Sequence, residues 1–301
     1  MAFEKQNLNY AKEYSQALAQ AYPYTLYFGA LWSAVKPDVK FLNNNTVILP
    51  SLSVKGRSNG DRDSIGTFSR NFNNAEETKV LKRHRTWDTL IHPRDIDETN
   101  HVASISNITK VMNEEQKFPE MDAEMITELY ALKNAIEAVT PDDVLTLANV
   151  LTKFDAMMDK MDEARVPAAG RLLYADTYTK TLIDTAKEAA RNLSATDTAV
   201  ARSLDRIGEV EVIGVPTSAM KSAYTFKETD GFEVAAGAKD VKMLLVHPSA
   251  VIPVIAYDFA ELGAPSSLSK GKWTYFEESF EDVFIFNKKH AGIQFYIEKS
   301  A

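Results

Sequence analysis

A long polar hairpin without a core of its own sets the terms for everything else in this chain. Residues 43 to 76 read as a two-stranded excursion. The run Ser51, Leu52, Ser53, Val54, Lys55 alternates polar and apolar as a half-exposed strand does. A turn-rich tip follows, with Gly56, Ser58, Asn59, Gly60, Asp61 and Asp63, and Phe68 and Phe72 fall on one side of the return strand. Two strands alone are marginal in water, so such an element persists only if another surface covers it.

Charge points to the same need. Between Lys40 and Thr86 there are nine Lys/Arg against four acids, a surplus of five positive charges in a chain whose net charge is −8. This polarisation suits association of the basic segment of one copy with the acidic body of another, through Lys55, Arg57, Arg62 and Arg70. A solvated loop with idle charges is the plainer alternative. The first 33 residues add seven aromatics within 23 positions: Tyr10, Tyr14, Tyr22, Tyr24, Tyr27, Phe28 and Trp32. Tyr10, Tyr14, Leu18 and Ala21 share one helical stripe, which Pro23 ends. The segment is expected to pack as an arm on a neighbour through Tyr10, Tyr14, Tyr24 and Trp32, or to be the first core helix of a globular domain.

Helices are predicted in the middle of the chain. Phe118-Pro119-Glu120 opens one that continues through Met121, Met125, Ile126, Leu129, Leu132 and Ile136. Thr140-Pro141-Asp142-Asp143 has the form of a helix start, with a capping threonine, proline in the first turn and two acids at the positive dipole end. The predicted helix carries Val144, Leu147, Leu151, Phe154, Met158 and Met161 and stops at Pro167. A third helix is placed over Ala175 to Arg191. Strands follow at Val210–Val215, Met243–Val246, Val251–Ile255, Asp282–Phe286 and Ile293–Ile297. The class is α+β.

Prospects for chemistry are poor. The absence of cysteine excludes a disulfide framework, a thiolate zinc site and a cysteine nucleophile, and fits synthesis in a reducing cytoplasm. The densest candidate is His92, Asp95, Asp97, Glu98 and His101, which could hold a divalent metal or run acid–base hydrolysis. Its spacing matches no helical metal motif, and acids beside Asn and Thr are also ordinary helix capping. His247 and His290 read as structural or exposed. No phosphate loop, GxGxxG or GxSxG occurs. No catalytic residue, cofactor or metal is therefore expected. The pI near 5.3 opposes general nucleic-acid binding, no apolar run reaches the ~18 residues of a membrane span, and Glu4 and Lys5 precede no signal-like stretch.

Several local sequences, taken in order, resemble one family. These are RTWDTLIHPRDIDETN after the hairpin, MDAEMITELYALKNAIEA, RVPAAGRLLYADTYTKTLI, IGEVEVIGVP, and the late segments VKMLLVHPSAVIPV and EDVFIFNKKHAGIQFYI. The chain resembles the major capsid proteins of tailed bacteriophages, the Hong Kong 97 fold, over nearly its whole length. The resemblance implies an N-terminal arm at 1–33 and an extended loop with flanking strands at 34–90. It implies a peripheral domain with a long spine helix at 91–139, an axial domain at 140–250, and closing strands returning to the peripheral domain at 251–301. It also implies assembly in a host bacterial cytoplasm into hexamers and pentamers of an icosahedral virion shell around double-stranded DNA. A portal belongs to that assembly. Because the arm begins at Met1, a separate scaffolding protein is implied. A bacterial encapsulin, whose loop is typically shorter, shares the fold; a hydrolase using Asp95, Asp97 and Glu98 is the remote alternative.

Overall fold

A computed structural model describes residues 24–33, 40–43, 46–57, 59, 70–98, 104–194, 206–207, 210–229 and 231–299. A one-turn helix, α1 (Gly29–Trp32), precedes a three-stranded antiparallel sheet of β1 (Lys40–Asn43), β2 (Thr46–Val54) and β3 (Phe72–Val80). The predicted hairpin is therefore present, with Val54 opposite Phe72 and Thr46 opposite Val80; Phe68 lies outside the described residues.

After β4 (His84–Ile91) and α2 (Pro93–Glu98), a long helical run begins at α3 (Ile105–Met112), which Ser104 caps by accepting the Asn107 amide. The run passes through a π-helical stretch, Asn113–Lys117, into α4 (Phe118–Ile136). Pro119 thus does not open a helix, as the sequence pattern implied. It has no amide to donate and its ring crowds the carbonyl four residues back, and the widened turns lie where those two defects fall. Met125, Ile126 and Leu129 are fully buried, whereas Ile136 at the helix end is exposed.

The second predicted helix starts nine residues late, at α5 (Val150–Glu163). Residues 141–149 are irregular because the Asp142 backbone pairs with the C-terminal strand: its amide donates to the Ile297 carbonyl and its carbonyl accepts from Lys299. Val144 and Leu147, expected on a buried stripe, are exposed. Ala175 likewise belongs not to a helix but to β5 (Leu172–Asp176), with α6 (Thr177–Ser194) beginning behind it.

The remaining elements are β6 (Arg206–Ile207), β7 (Val210–Val215), β8 (Tyr224–Phe226), β9 (Phe232–Val234), β10 (Val241–Val246), β11 (Val251–Gly263), β12 (Trp273–Ile285) and β13 (Ile293–Ile297). A five-stranded sheet has the order β13-β10-β5-β7-β6. Its two faces feed separate cores, as the period of two dictates. Leu172, Tyr174, Leu244 and Val246 meet α1 and α4, while Leu173, Ala175, Met243 and Leu245 meet α5 and α6. Arg171, fully buried, donates to the carbonyls of Val166 and Pro167 and pairs with Asp162, fixing the turn after α5.

The third sheet has the order β11-β12-β4. Its strands β11 and β12 are 13 residues each, far beyond the predicted stretches at 251–255 and 282–286. One face lies against the long helical run, where Arg85 pairs with Glu120 and Lys117 with Glu277. Near the sheet's inner end the opposite face carries Ile252, Val254 and Phe284, and the hairpin root packs there through Val47, Leu49 and Leu81. Among the described residues no helix is long and apolar enough to cross a membrane.

Candidate inter-subunit surfaces

Along the hairpin the apolar side changes over. At the root Val47 and Leu49 are buried on the face turned to the body, but beyond them that face carries Ser51 and Ser53. On the opposite face stand Leu52 (60% exposed), Val54 (69%) and, across from Val54, Phe72 (53%). Arg70 lies over the Phe72 ring at 4.6 Å, a cation–π contact that presents charge beside the apolar patch. Lys55 and Arg57 are exposed just past the strand end, the Lys55 amide extending the ladder to the Asn71 carbonyl. Arg62 lies outside the described residues.

The outer part of the β11-β12-β4 sheet offers a counterpart. Beyond the hairpin root its outward face bears Phe280 stacked on His84 (4.3 Å), Phe259 beside Phe276 (6.3 Å), and exposed Leu90. Tyr257 adopts a left-handed backbone (φ 52°) at a bulge between Ala256 and Asp258, which puts its ring parallel to Phe259 at 6.1 Å. Register places Asp88, Glu261 and Glu278 on the same face, opposite or beside these rings. The face is thus aromatic and acidic, where the distal hairpin is apolar and basic. Strand periodicity hid it: Tyr257 through Glu261 alternate poorly because the bulge breaks the count.

The arm divides. Tyr10 and Tyr14 lie outside the described residues. Trp32 is buried at 6% exposure with Phe28 and Leu31 in the core shared by α4 and the five-stranded sheet, the place the core-helix alternative gives it. Tyr24 is half-buried and committed to its own chain through Asp122 on α4. That carboxylate accepts from the Tyr24 hydroxyl (3.0 Å), the Tyr27 amide (2.9 Å) and the Phe28 amide (3.0 Å). Burial outweighs these three donors and pushes Asp122 up to about 6, and the same carboxylate and burial push Tyr24 well above its ordinary range.

A raised carboxyl stabilises the fold fully below its unfolded value of 3.8, and that contribution is lost as pH rises through about 6. The shift of about two units corresponds to roughly 3 kcal/mol. Asp122→Asn, neutral at every pH, is expected to remove this component. Denaturant titrations of the two proteins between about pH 4 and about pH 7 check it, the wild type losing ground to the variant as pH rises.

The acid–histidine cluster does not assemble. Asp95, Asp97 and Glu98 sit on the short α2, Glu98 paired with Arg94, and the His92 ring accepts from the Arg94 amide. His101 lies outside the described residues. Among the described residues no three His, Asp or Glu side chains gather as a metal ion requires. His247 caps the turn at Pro248 by accepting the Ser249 amide, and His290 meets the Asn287 carbonyl.

No protein-family model matches the sequence, and no curated protein matches it either. Solved structures do match in fold. A chain from Mycobacterium phage Che8 aligns with TM-score 0.66 at 12% identity, covering 96% of this chain and 97% of that one. The capsid of the cyanophage P-SCSP1u gives 0.68 at 11% identity, over 97% and 94%. The mature capsid of bacteriophage PhiM1 gives 0.69 at 11% identity, over 97% and 92%. Hairpin, long helical run, two-faced sheet and long closing strands together are the Hong Kong 97 fold of the phage capsids, which this chain matches over nearly its whole length.

Proposed function

We propose that this chain is the major capsid protein of a tailed bacteriophage, assembling into the hexamers and pentamers of an icosahedral head that encloses double-stranded DNA. The observation that carries the reading is the changeover along the hairpin: its root is apolar toward its own body, and its distal half is apolar away from it. A monomer has no use for that pattern, whereas a strap reaching a second copy needs it. The acidic, aromatic face of the long sheet is the seat for that strap, with Lys55, Arg57, Arg62 and Arg70 meeting Asp88, Glu261 and Glu278 of a neighbour. Tyr10 and Tyr14 of the arm serve the same assembly.

In this reading the arm is 1–33, the extended loop 34–90, the peripheral domain 91–139, the axial domain 140–250 and the closing strands 251–301. A scaffolding protein and a portal complete the head in the bacterial cytoplasm. The subunit is a structural component of the virion without a catalytic step. The net charge of −8 suits a container that must release its genome.

Electron microscopy of the purified chain, with scaffold supplied, is expected to reveal closed shells or rings of five and six. Reversing Arg57 and Arg70 together to Glu is expected to lower shell yield and its salt resistance while the subunit folds normally. Each exposed pair contributes about 0–1 kcal/mol, so one reversal is close to silent and two repeated through a shell are not. A 33.6 kDa species alone at high concentration in sedimentation would sink the proposal.

A further inference from the structure

The hairpin joins the body through Leu81, Lys82 and Arg83, between β3 and β4. Leu81 is buried against β11 and β12, and carboxylates hold the next two residues. Asp282 accepts the Lys82 amide at 3.0 Å. The Arg83 guanidinium lies over the Phe226 ring at 3.7 Å, with Nε 3.2 Å from Glu124 and its terminal nitrogen 3.0 Å from Glu128. Glu281 completes the group, its carboxylate accepting from Ser279. Glu124 (3% exposed), Glu281 (7%) and Asp282 (2%) are all buried; Glu124 and Glu128 pair with the guanidinium, and Glu281 and Asp282 add their negative charge beside Glu124.

The surrounding charges do not redress this balance. From the helical run, Glu120 and Lys117 face the group, already paired with Arg85 and Glu277 respectively. His84 on β4 lies 3.7 Å from Glu278, Asp258 on β11 adds a further negative charge near Glu281, and Glu228 lines the same cleft from the turn between β8 and β9.

We propose that this joint is proton-linked: the buried carboxyls of Glu124, Glu281 and Asp282 bind protons more tightly while the hairpin root is seated on the body than when the root lifts away. A protonated carboxyl is a neutral group able to sit in a crowded, dry site, whereas three carboxylates repel one another there. Burial raises all three carboxyls, Glu124 well above its usual range, and neighbouring acids add to the rise in each; Arg83 pulls down Glu124, Ser279 and Lys117 pull down Glu281, and the Lys82 and Val283 amides with Arg83 pull down Asp282, without reversing it. The seated joint therefore binds more protons than the lifted one. By linkage, acid favours seating, and rising pH favours release of the hairpin. The hairpin's angle to the body is thereby set by pH, independently of whether the chain builds a shell.

Amide hydrogen exchange on the full-length protein tests this, at about pH 5.5 and about pH 8 with intrinsic rates divided out. Protection at Val47, Leu49 and Lys82 is expected to fall at the higher pH, relative to amides of β10. Glu124→Gln and Glu281→Gln, neutral shape mimics of the protonated acids, are each expected to shrink that fall. Asp282→Asn is expected to do the same if either glutamine variant misfolds. Protection independent of pH, or an undiminished fall in the correctly folded variants, overturns the proposal.

Discussion

Leu129→Pro is expected to yield insoluble protein instead of a folded subunit that merely fails to assemble. Leu129 is fully buried in the core shared by α4, α1 and the five-stranded sheet, about three turns from the start of α4 and about two from its end. Proline removes the amide that bonds residue 125 and drives its ring against that carbonyl, costing about 3 kcal/mol or more. Loss of the packed leucine adds about 2 kcal/mol or more, because a leucine cavity in a rigid core collapses only in part. The sum approaches the whole stability of an ordinary domain, about 5–15 kcal/mol. The helix also supports the long sheet through Lys117 and Glu120, so a kink at its centre displaces the seat proposed for a neighbour's hairpin. Asp97→Ala, on the exposed face of α2, is expected to leave folding and assembly intact. Soluble yield and far-ultraviolet circular dichroism of the two variants, side by side, measure the contrast. Normal shells from Leu129→Pro together with a hydrolytic activity lost in Asp97→Ala would replace the structural reading by an enzymatic one.

How much of this was legible in the sequence depends on where each element's partner lies. Strands β7 and β13 match their predicted spans because they are short, β-branched- or aromatic-rich segments bounded by Gly, Pro or charge and largely covered by the body, Glu211 alone being exposed. The long strands β11 and β12 were legible only at their buried ends. Their outer halves, Tyr257 to Leu262 and Trp273 to Phe280, mix aromatic and acidic residues on surfaces this chain does not cover. The helix signal at Thr140 is sound chemistry overridden by distance: Asp142 is bridged to Glu298, more than 150 positions away. Asp122 left no trace in the sequence either. One aspartate in an amphipathic helix looks like a surface residue, and its role comes from two amides and a hydroxyl nearly 100 positions upstream. The hairpin was legible as an element, and so was its need for cover. Its changeover of apolar face was not, since Val47, Leu49, Leu52 and Val54 read as one strand until the body is known to reach only the first two.

That changeover supports a sharp separation between folding and assembly. Val54→Asp with Phe72→Asp, placed on directly opposed residues of the outward face, is expected to abolish shells while leaving the subunit as stable as before. Both side chains are more than half exposed in the single chain, so the folded monomer loses little, within about 0.5 kcal/mol. In an assembled strap each would bury a large apolar group worth roughly 1.5–3 kcal/mol. The aspartates would in addition meet Asp88, Glu261 or Glu278 across the contact, a like-charge opposition that costs further. The total exceeds about 4 kcal/mol per strap, about a thousandfold in each contact's equilibrium constant, and every subunit in a shell contributes one. The control is Ser53→Asp, one residue from Val54 but on the body-facing side beyond the buried root. It adds one negative charge to the strand that carries Val54 and is expected to assemble normally. Sedimentation velocity and thermal unfolding of the three proteins decide the matter: shells from the double variant, or equal loss of shells in Ser53→Asp, would mean that the outward face is not what the hairpin uses.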